Sequence, residues 1–315
     1  MISTLLMGTR GSPLALAQAR QIARQIEKAN SGLEIVEKII RTTGDRQQSA
    51  PLPSIGGKGV FTLEIEAALL DGSIDFAVHS LKDLPPLFPN GLSLGAVPRR
   101  ESSADACLLS QALSDLNIAD AVEIWPQLPL KAHVGTSSLR RAAQLKYARP
   151  DLQIESVRGN IDTRLRKLDE HFDAIILARA GLNRLNVDLS TRRHFDLPAD
   201  DFLAAPGQGA LALEARTDDE RVLKVLWGVE DAATRGEIEA ERACMEALGA
   251  GCSTPLGARA VAAQSTLNLR AVVLSPYGTQ RIFAQAQSTL DEAKSLGALV
   301  AQQLLEQGAA QLMDK

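Results

Sequence analysis

Arginines, hydroxyls and one acid recur where short apolar runs give way to helix-type sequence. The first cluster is Arg10-Gly11-Ser12, directly ahead of Pro13. Amides at a helix start bind anions, and a guanidinium beside them adds a bidentate partner. The plainer alternative is a capped helix with a solvated arginine. The second cluster is VGTSSLRR, 134–141, where Thr136, Ser137 and Ser138 lead into Arg140 and Arg141. Arg158 and Arg164 stand at the next strand–helix junction, in VRGNIDTR. Such junctions gather at one edge of an open α/β sheet, where these arginines would converge on a ligand carrying several carboxylates or phosphates. Any one of them alone reads as a surface residue.

The third cluster is AVHSLKDLPP, 77–86, in which an apolar strand ends in His79, Ser80, Lys82 and Asp83 before two prolines. An ammonium beside Asp83 favours its ionised form. A carboxylate at that edge can stabilise a cationic intermediate or relay protons; the alternative is a loop salt bridge. GGKGVF, 56–61, gives a glycine loop in which Lys58 can close over an anion, and 47–60 is expected to be mobile. The P-loop spacing is absent, so ATP is not implied. Cys252 lies in ALGAGCSTPLGA, 247–258, among glycines that expose a thiol. Against a reactive role, a free cysteine is usually buried and inert, and no histidine is near in sequence. Cys107 reads as a core-strand residue and Cys244 as part of a helix. With no C-x-x-C and no histidine pair at helical spacing, neither a metal site nor a disulfide framework is expected.

The elements that must hold these groups alternate in the first two-thirds of the chain. Leu5–Thr9 reads as a strand, followed by a helix capped by Ser12 and running to about Ala29. Leu33–Ile40 is a strand, Phe61–Leu70 a helix closed by Gly72, and Ile74–Val78 a buried strand. The pattern restarts after Pro98 with strand Ala132–Gly135, a helix capped by Ser137 or Ser138 to about Ala148, and strand Ile154–Val157. A helix capped by Asn160 to about Asp169 and strand Asp173–Ala178 follow. AAPGQGALALEA, 204–215, reads as a strand returning to the first domain. Thr234–Leu248 is a helix with Ile238, Met245 and Leu248 on its core face, Thr266–Leu274 and Gln280–Gln287 form a hairpin, and Leu290–Gln307 closes the chain as a helix. The spacing therefore predicts two similar α/β domains with a cleft between them and a small α+β third domain, without an internal sequence repeat.

Composition bounds the function. The chain has 315 residues, 45% apolar and 23% charged, ordinary values for globular proteins and too long for one domain of about 100–200 residues. Lys and Arg number 34 against 38 Asp and Glu, a net charge of −4 without the basic excess of a nucleic-acid binder. No apolar run approaches the roughly 18 residues of a membrane span. Met1–Leu6 lacks a secretory pattern, so a reduced, cytoplasmic protein is expected, or a plastid one if a transit segment has been removed.

Taken in order, GTRGSPLALAQ (8–18), TTGDR (42–46), GGKGVF, AVHSLKDLPP, VGTSSLRRAAQL (134–145), VRGNIDTRLRKL (157–168), DAIILARAGLNRL (173–185), APGQGALALEAR (205–216) and ERACMEALGAGCSTPLGA (241–258) resemble the porphobilinogen deaminase family nearly end to end. The resemblance implies two type II periplasmic-binding-protein-like α/β domains and a third, small α+β domain with an antiparallel sheet, expected over 1–98 plus 205–228, 106–203 and 231–315. It implies a dipyrromethane cofactor bound by thioether to Cys252. Four porphobilinogen molecules would be deaminated, added head to tail and released by water as linear hydroxymethylbilane. Asp83 would be the catalytic acid group, assisted by Lys58 and Arg10. Ser80, Lys82, Asp83, Thr136, Ser138, Arg140 and Arg141 would contact the cofactor. Arg10, Ser12, Gln18, Lys58, Arg158 and Arg164 would contact substrate, with Phe61 and Arg184 at further active-site positions. Expected partners are porphobilinogen and the growing linear polypyrrole, with no nucleic acid, no membrane and a monomeric state. Some bacterial relatives carry a second lysine where this chain has Pro53 or Ser54, so loop closure would rest on Lys58.

Two other classes fit parts of the sequence. A two-domain receptor for an anionic small molecule accounts for the arginines but leaves the third domain and Cys252 unused. A thiol-dependent acyl transferase uses Cys252 but lacks an identifiable histidine or oxyanion motif beside it.

Overall fold

Residues 4–46, 62–116, 124–251 and 254–313 are described by a computed structural model. They fall into two compact units, Met1–Glu101 with Gly209–Arg235, and Ser102–Gln208 with Gly236–Lys315.

In the first unit, strands β1 (Thr4–Thr9), β2 (Glu34–Ile39), β3 (Phe76–Ser80), β4 (Leu92–Ala96) and β10 (Leu211–Arg216) form one sheet in the order β2-β1-β3-β10-β4. β1 runs parallel to β2 and β3, whereas β10 runs antiparallel to β3 and β4. The returning strand expected from 204–215 is thus β10. The helix Pro13–Ala29 starts as its sequence predicts: Ser12 is extended (φ −71, ψ 148), its Oγ accepts from the Ala15 amide at 3.3 Å, and Pro13 occupies the first turn. Ile22 and Ile26 of that helix pack on Leu5, Met7, Phe76 and Leu213 of the sheet.

In the second unit, β5 (Asp105–Leu109), β6 (His133–Gly135), β7 (Gln153–Glu155), β8 (Ala174–Ala178) and β9 (His194–Asp196) form a sheet in the order β7-β6-β8-β5-β9. β6 is parallel to β7 and β8, and β5 is antiparallel to β8 and β9. Both sheets therefore have one order: second, first and third strands, an antiparallel insert, then the fourth. This is the type II periplasmic-binding-protein-like α/β arrangement. Ser138 caps the helix Leu139–Ala148 and Asn160 caps Ile161–His171.

A third, antiparallel sheet, β11 (Leu256–Ala263), β12 (Thr266–Leu274) and β13 (Arg281–Thr289), belongs to the second unit. Leu269, Ala271 and Val273 pack with Cys244 and Leu248 of the helix Ala232–Ala247 and with Leu296 and Val300 of the helix Ala293–Glu306. The closing helix begins three residues later than its apolar run, because Leu290–Glu292 forms a 3₁₀ turn. β11 went unread in the sequence, where its small residues, LGARAVAA, resemble neither a helix stripe nor a β-branched run.

Candidate functional site

In the first unit, the parallel strands β1 and β3 end at the same edge, and the chain there supplies Arg10 after β1 and the turn Leu81–Asp83 after β3. A small cavity of about 70 Å³ lies at that edge, lined by Arg10, Ser12, Gln18, Ser80 and Asp83 together with Thr62 and His79. The Gln18 amide donates to Ser80 Oγ at 2.8 Å, tying the first helix to the end of β3. Asp83 is exposed, so its carboxylate can meet a ligand without first breaking a buried contact. Lys82 is half-buried beside it and is not among the lining residues.

The second unit places its arginines in two layers. Arg140 and Arg141, expected as an open cradle, are 4% and 7% exposed and point inward to Asp105. Arg140 reaches one carboxylate oxygen at 2.8 Å, and Arg141 reaches the other at 2.6 Å and 3.0 Å. Gln208 donates to the same oxygen at 2.8 Å. Burial alone would raise the Asp105 carboxyl, but the two guanidinia and these hydrogen bonds hold it well below the usual carboxylate range. Arg140 Nη1 also donates to the Leu203 carbonyl at 2.7 Å and Arg141 Nη1 to that of Ile176 at 3.1 Å.

The outer layer is the set of residues after the parallel strands: Thr136 and Ser138 after β6, Arg158 and Arg164 after β7, and Arg184 after β8. Arg164 lies far enough inside for burial to lower its affinity for a proton, and the charge of Arg141 lowers it further. A part-buried guanidinium that follows a parallel strand is placed to meet an anion. Part of the hydroxyl set serves the backbone: Ser138 Oγ accepts from the Arg141 amide at 3.4 Å, and Thr136 Oγ1 accepts from the Ser138 amide at 3.2 Å. A larger cavity of about 760 Å³ extends from Thr136 and Ser138 along Lys146 and Tyr147 to the β12–β13 turn at Tyr277.

Lys58, Phe61, the loop 47–60 and Cys252 lie outside the described residues. Of the remaining cysteines, Cys107 and Cys244 are fully buried. Burial pushes the Cys107 thiol far up, and burial with the Glu241 charge pushes that of Cys244 up to about 12. Neither is a nucleophile at neutral pH. Among the described residues no group of three or more His, Cys, Asp or Glu could hold a metal ion, and no helix is long and apolar enough to cross a membrane.

Sequence reasoning missed Asp105, Glu66 and Glu214. Each is an acid inside or beside an apolar run, DACLL for Asp105 and LALEAR for Glu214, and a buried acid in such a run demands a partner. That partner is distant in sequence in both cases.

The family model described as porphobilinogen deaminase, dipyromethane cofactor binding domain, matches residues 5–224, and the porphobilinogen deaminase C-terminal domain matches 236–306. The chain is 42% identical over 310 residues to a porphobilinogen deaminase of Syntrophobacter fumaroxidans, covering 98% of this chain and 96% of the relative. It is 43% identical to that of Syntrophotalea carbinolica, covering 99% and 95%, and 45% identical to that of Desulforudis audaxviator, covering 98% and 96%. Among solved structures, an ancestral cationic amino acid solute binding protein aligns at 13% identity and a TM-score of 0.42, over 74% of this chain and 91% of its own.

Proposed function

Because the chain belongs to the porphobilinogen deaminase family, we propose that Asp83 is the carboxylate at which its chemistry takes place. The protein is a transferase of tetrapyrrole biosynthesis. It deaminates porphobilinogen and polymerises four molecules head to tail on a dipyrromethane primer, then releases hydroxymethylbilane by hydrolysis.

The donor set fits a dipyrromethane. Each pyrrole ring carries an acetate and a propionate, and the part-buried guanidinium of Arg164, disfavoured by burial and by the charge of Arg141, is one that a carboxylate would stabilise. When bound, the group supplies the primer to which pyrroles are joined. Cys252 is its attachment point in this reading, supported by the burial of both other cysteines. Ser80, Lys82, Thr136 and Ser138 orient it by hydrogen bonding, and Arg140 and Arg141 act from behind, anchored on Asp105. Arg10, Ser12, Gln18, Lys58, Arg158, Arg164 and Arg184 bind the carboxylates of substrate and growing chain, and Phe61 is a further active-site position.

Loss of ammonia from porphobilinogen leaves a cationic, electron-poor carbon. A fixed carboxylate beside it stabilises charge that develops only in the transition state. The observation that carries this role is the exposed Asp83 carboxylate, lining one cavity with Arg10, Ser12, Gln18 and Ser80. The wider reading is of a cytoplasmic monomer acting on porphobilinogen, without nucleic acid or membrane, on a chain domain plan of 1–98 plus 205–228, 106–203 and 231–315.

Replacing Asp83 by Asn keeps the shape and removes the charge. Turnover of porphobilinogen is expected to fall at least about a hundredfold, the scale of losing one transition-state electrostatic contact, with the cofactor mass still on the protein. Turnover within a few-fold of wild type would remove Asp83 from the mechanism.

A further inference from the structure

The cavity that holds Asp83 has a second titratable wall. His79, the fourth residue of β3, is 6% exposed and lines that cavity. Its Nε2 lies 3.0 Å from the carboxylate of Glu214 on β10, which is fully buried. The register sets His79 opposite Ala212 and Glu214 opposite Ala77, so the pair are diagonal neighbours on one sheet face. Neither Glu214 oxygen nor His79 Nε2 has a hydrogen bond of good geometry, so the two buried groups meet as a close charge contact that a small movement of the ring would turn into a hydrogen bond. Glu66, on the helix Leu63–Leu70, is 6% exposed and near enough for the charges of both groups to act on its carboxyl. Burial raises its carboxyl, with the Thr62 hydroxyl opposing, Glu214 adding to the rise and His79 opposing it. The charged groups around the imidazole are therefore Glu214 on β10 and Glu66 on the helix, with Asp83 and Arg10 lining the same cavity.

The reaction needs a group of this kind. Each addition forms one carbon–carbon bond and breaks two others: the C–N bond, whose pair leaves with ammonia, and a ring C–H bond, whose pair returns to the pyrrole. One proton must be carried away per addition, and ammonia with that proton leaves as ammonium. Asp83 stabilises the cation only while ionised, so a second group that carries the ring proton to ammonia lets it keep that charge. A carboxylate holding one ring nitrogen leaves the other free to exchange a proton.

We propose that His79, held by Glu214, is the proton carrier of each condensation, its Nδ1 accepting the ring proton and passing it to departing ammonia or to water. This rests on the deaminase reading.

The test uses holoenzyme, with cofactor mass and unfolding midpoint checked for each variant. His79→Gln is expected to lower kcat about a hundredfold or more at unchanged KM, the scale of general base catalysis. Porphobilinogen deuterated at its free ring carbon should then give a larger isotope effect on kcat than in wild type, which a packing defect would not produce. Glu214→Gln removes the charge beside the imidazole while keeping the shape, so kcat should fall and the isotope effect on it should rise, as in His79→Gln. An isotope effect unchanged in His79→Gln, kcat within threefold of wild type, or kcat and isotope effect both unmoved in Glu214→Gln would each overturn the proposal. If His79→Gln does not fold, the Glu214→Gln measurements decide. Wild-type holoenzyme that consumes no porphobilinogen would instead sink the deaminase reading, and the proton carrier with it.

Discussion

Asp105 holds two buried guanidinia in place, and removing its charge would strand both. Breaking a buried pair from one side costs about 3–5 kcal/mol, because the remaining charge is left uncompensated. Asp105→Asn is therefore expected to lower unfolding free energy by that amount in urea denaturation at neutral pH. The pH dependence follows from the same contact. Asp105 titrates below its unfolded value of about 3.9, so its contribution is complete above that pH and is lost as pH falls toward the folded value. Wild type should lose more stability than Asp105→Asn between about pH 5 and pH 2, as the linkage requires. Equal losses would mean that another group governs the acid limb. Local signals such as Ser12 ahead of Pro13, and Asn160 ahead of its helix, were legible because a cap and its amide lie within three residues. The inward turn of Arg140 and Arg141 was not, since Asp105 lies about 35 positions away and the same residue types serve equally well as a ligand cradle.

At the scale of elements, strands and helices with a clear period were placed to within a few residues, and the β12–β13 hairpin followed from its Pro-Tyr-Gly turn. What the pattern did not contain was close helix approach. Gly297, on the helix Ala293–Glu306, sits so near the helix Ala232–Ala247 that a Cβ there would lie 2.4 Å from the Ala240 carbonyl oxygen. Gly297→Ala improves intrinsic helix propensity yet should destabilise the protein by about 1–3 kcal/mol, the usual cost of overpacking. The midpoint of chemical denaturation checks this, and a gain in stability would show that the two helices separate freely. The strand β11 was missed for a related reason. Its alanines and glycine suit the tight contact between Gly257 and Leu203 rather than any β-branched signature.

Across the whole molecule, one strand order appears in two sheets whose sequences show no repeat, which the alternation of strand and helix signals anticipated in outline. The antiparallel inserts, β10 and β5, depend on pairings that no local window contains. Function at this scale is a matter of charge placement: a chain of net charge −4 must capture an anionic substrate through local arginines. Raising ionic strength from 0.15 M to about 1 M shortens the screening length from about 8 Å to about 3 Å, so KM for porphobilinogen should rise while kcat changes less. A salt-independent KM would remove the arginines from substrate capture. The central claim is that one cysteine carries a dipyrromethane on which the pyrroles are built. The intact mass of the denatured protein, after incubation with porphobilinogen and followed by mapping of the 247–258 peptide, tests it directly. The account predicts an added mass of two linked porphobilinogen-derived pyrroles located on Cys252; an unmodified Cys252 after that incubation would contradict it.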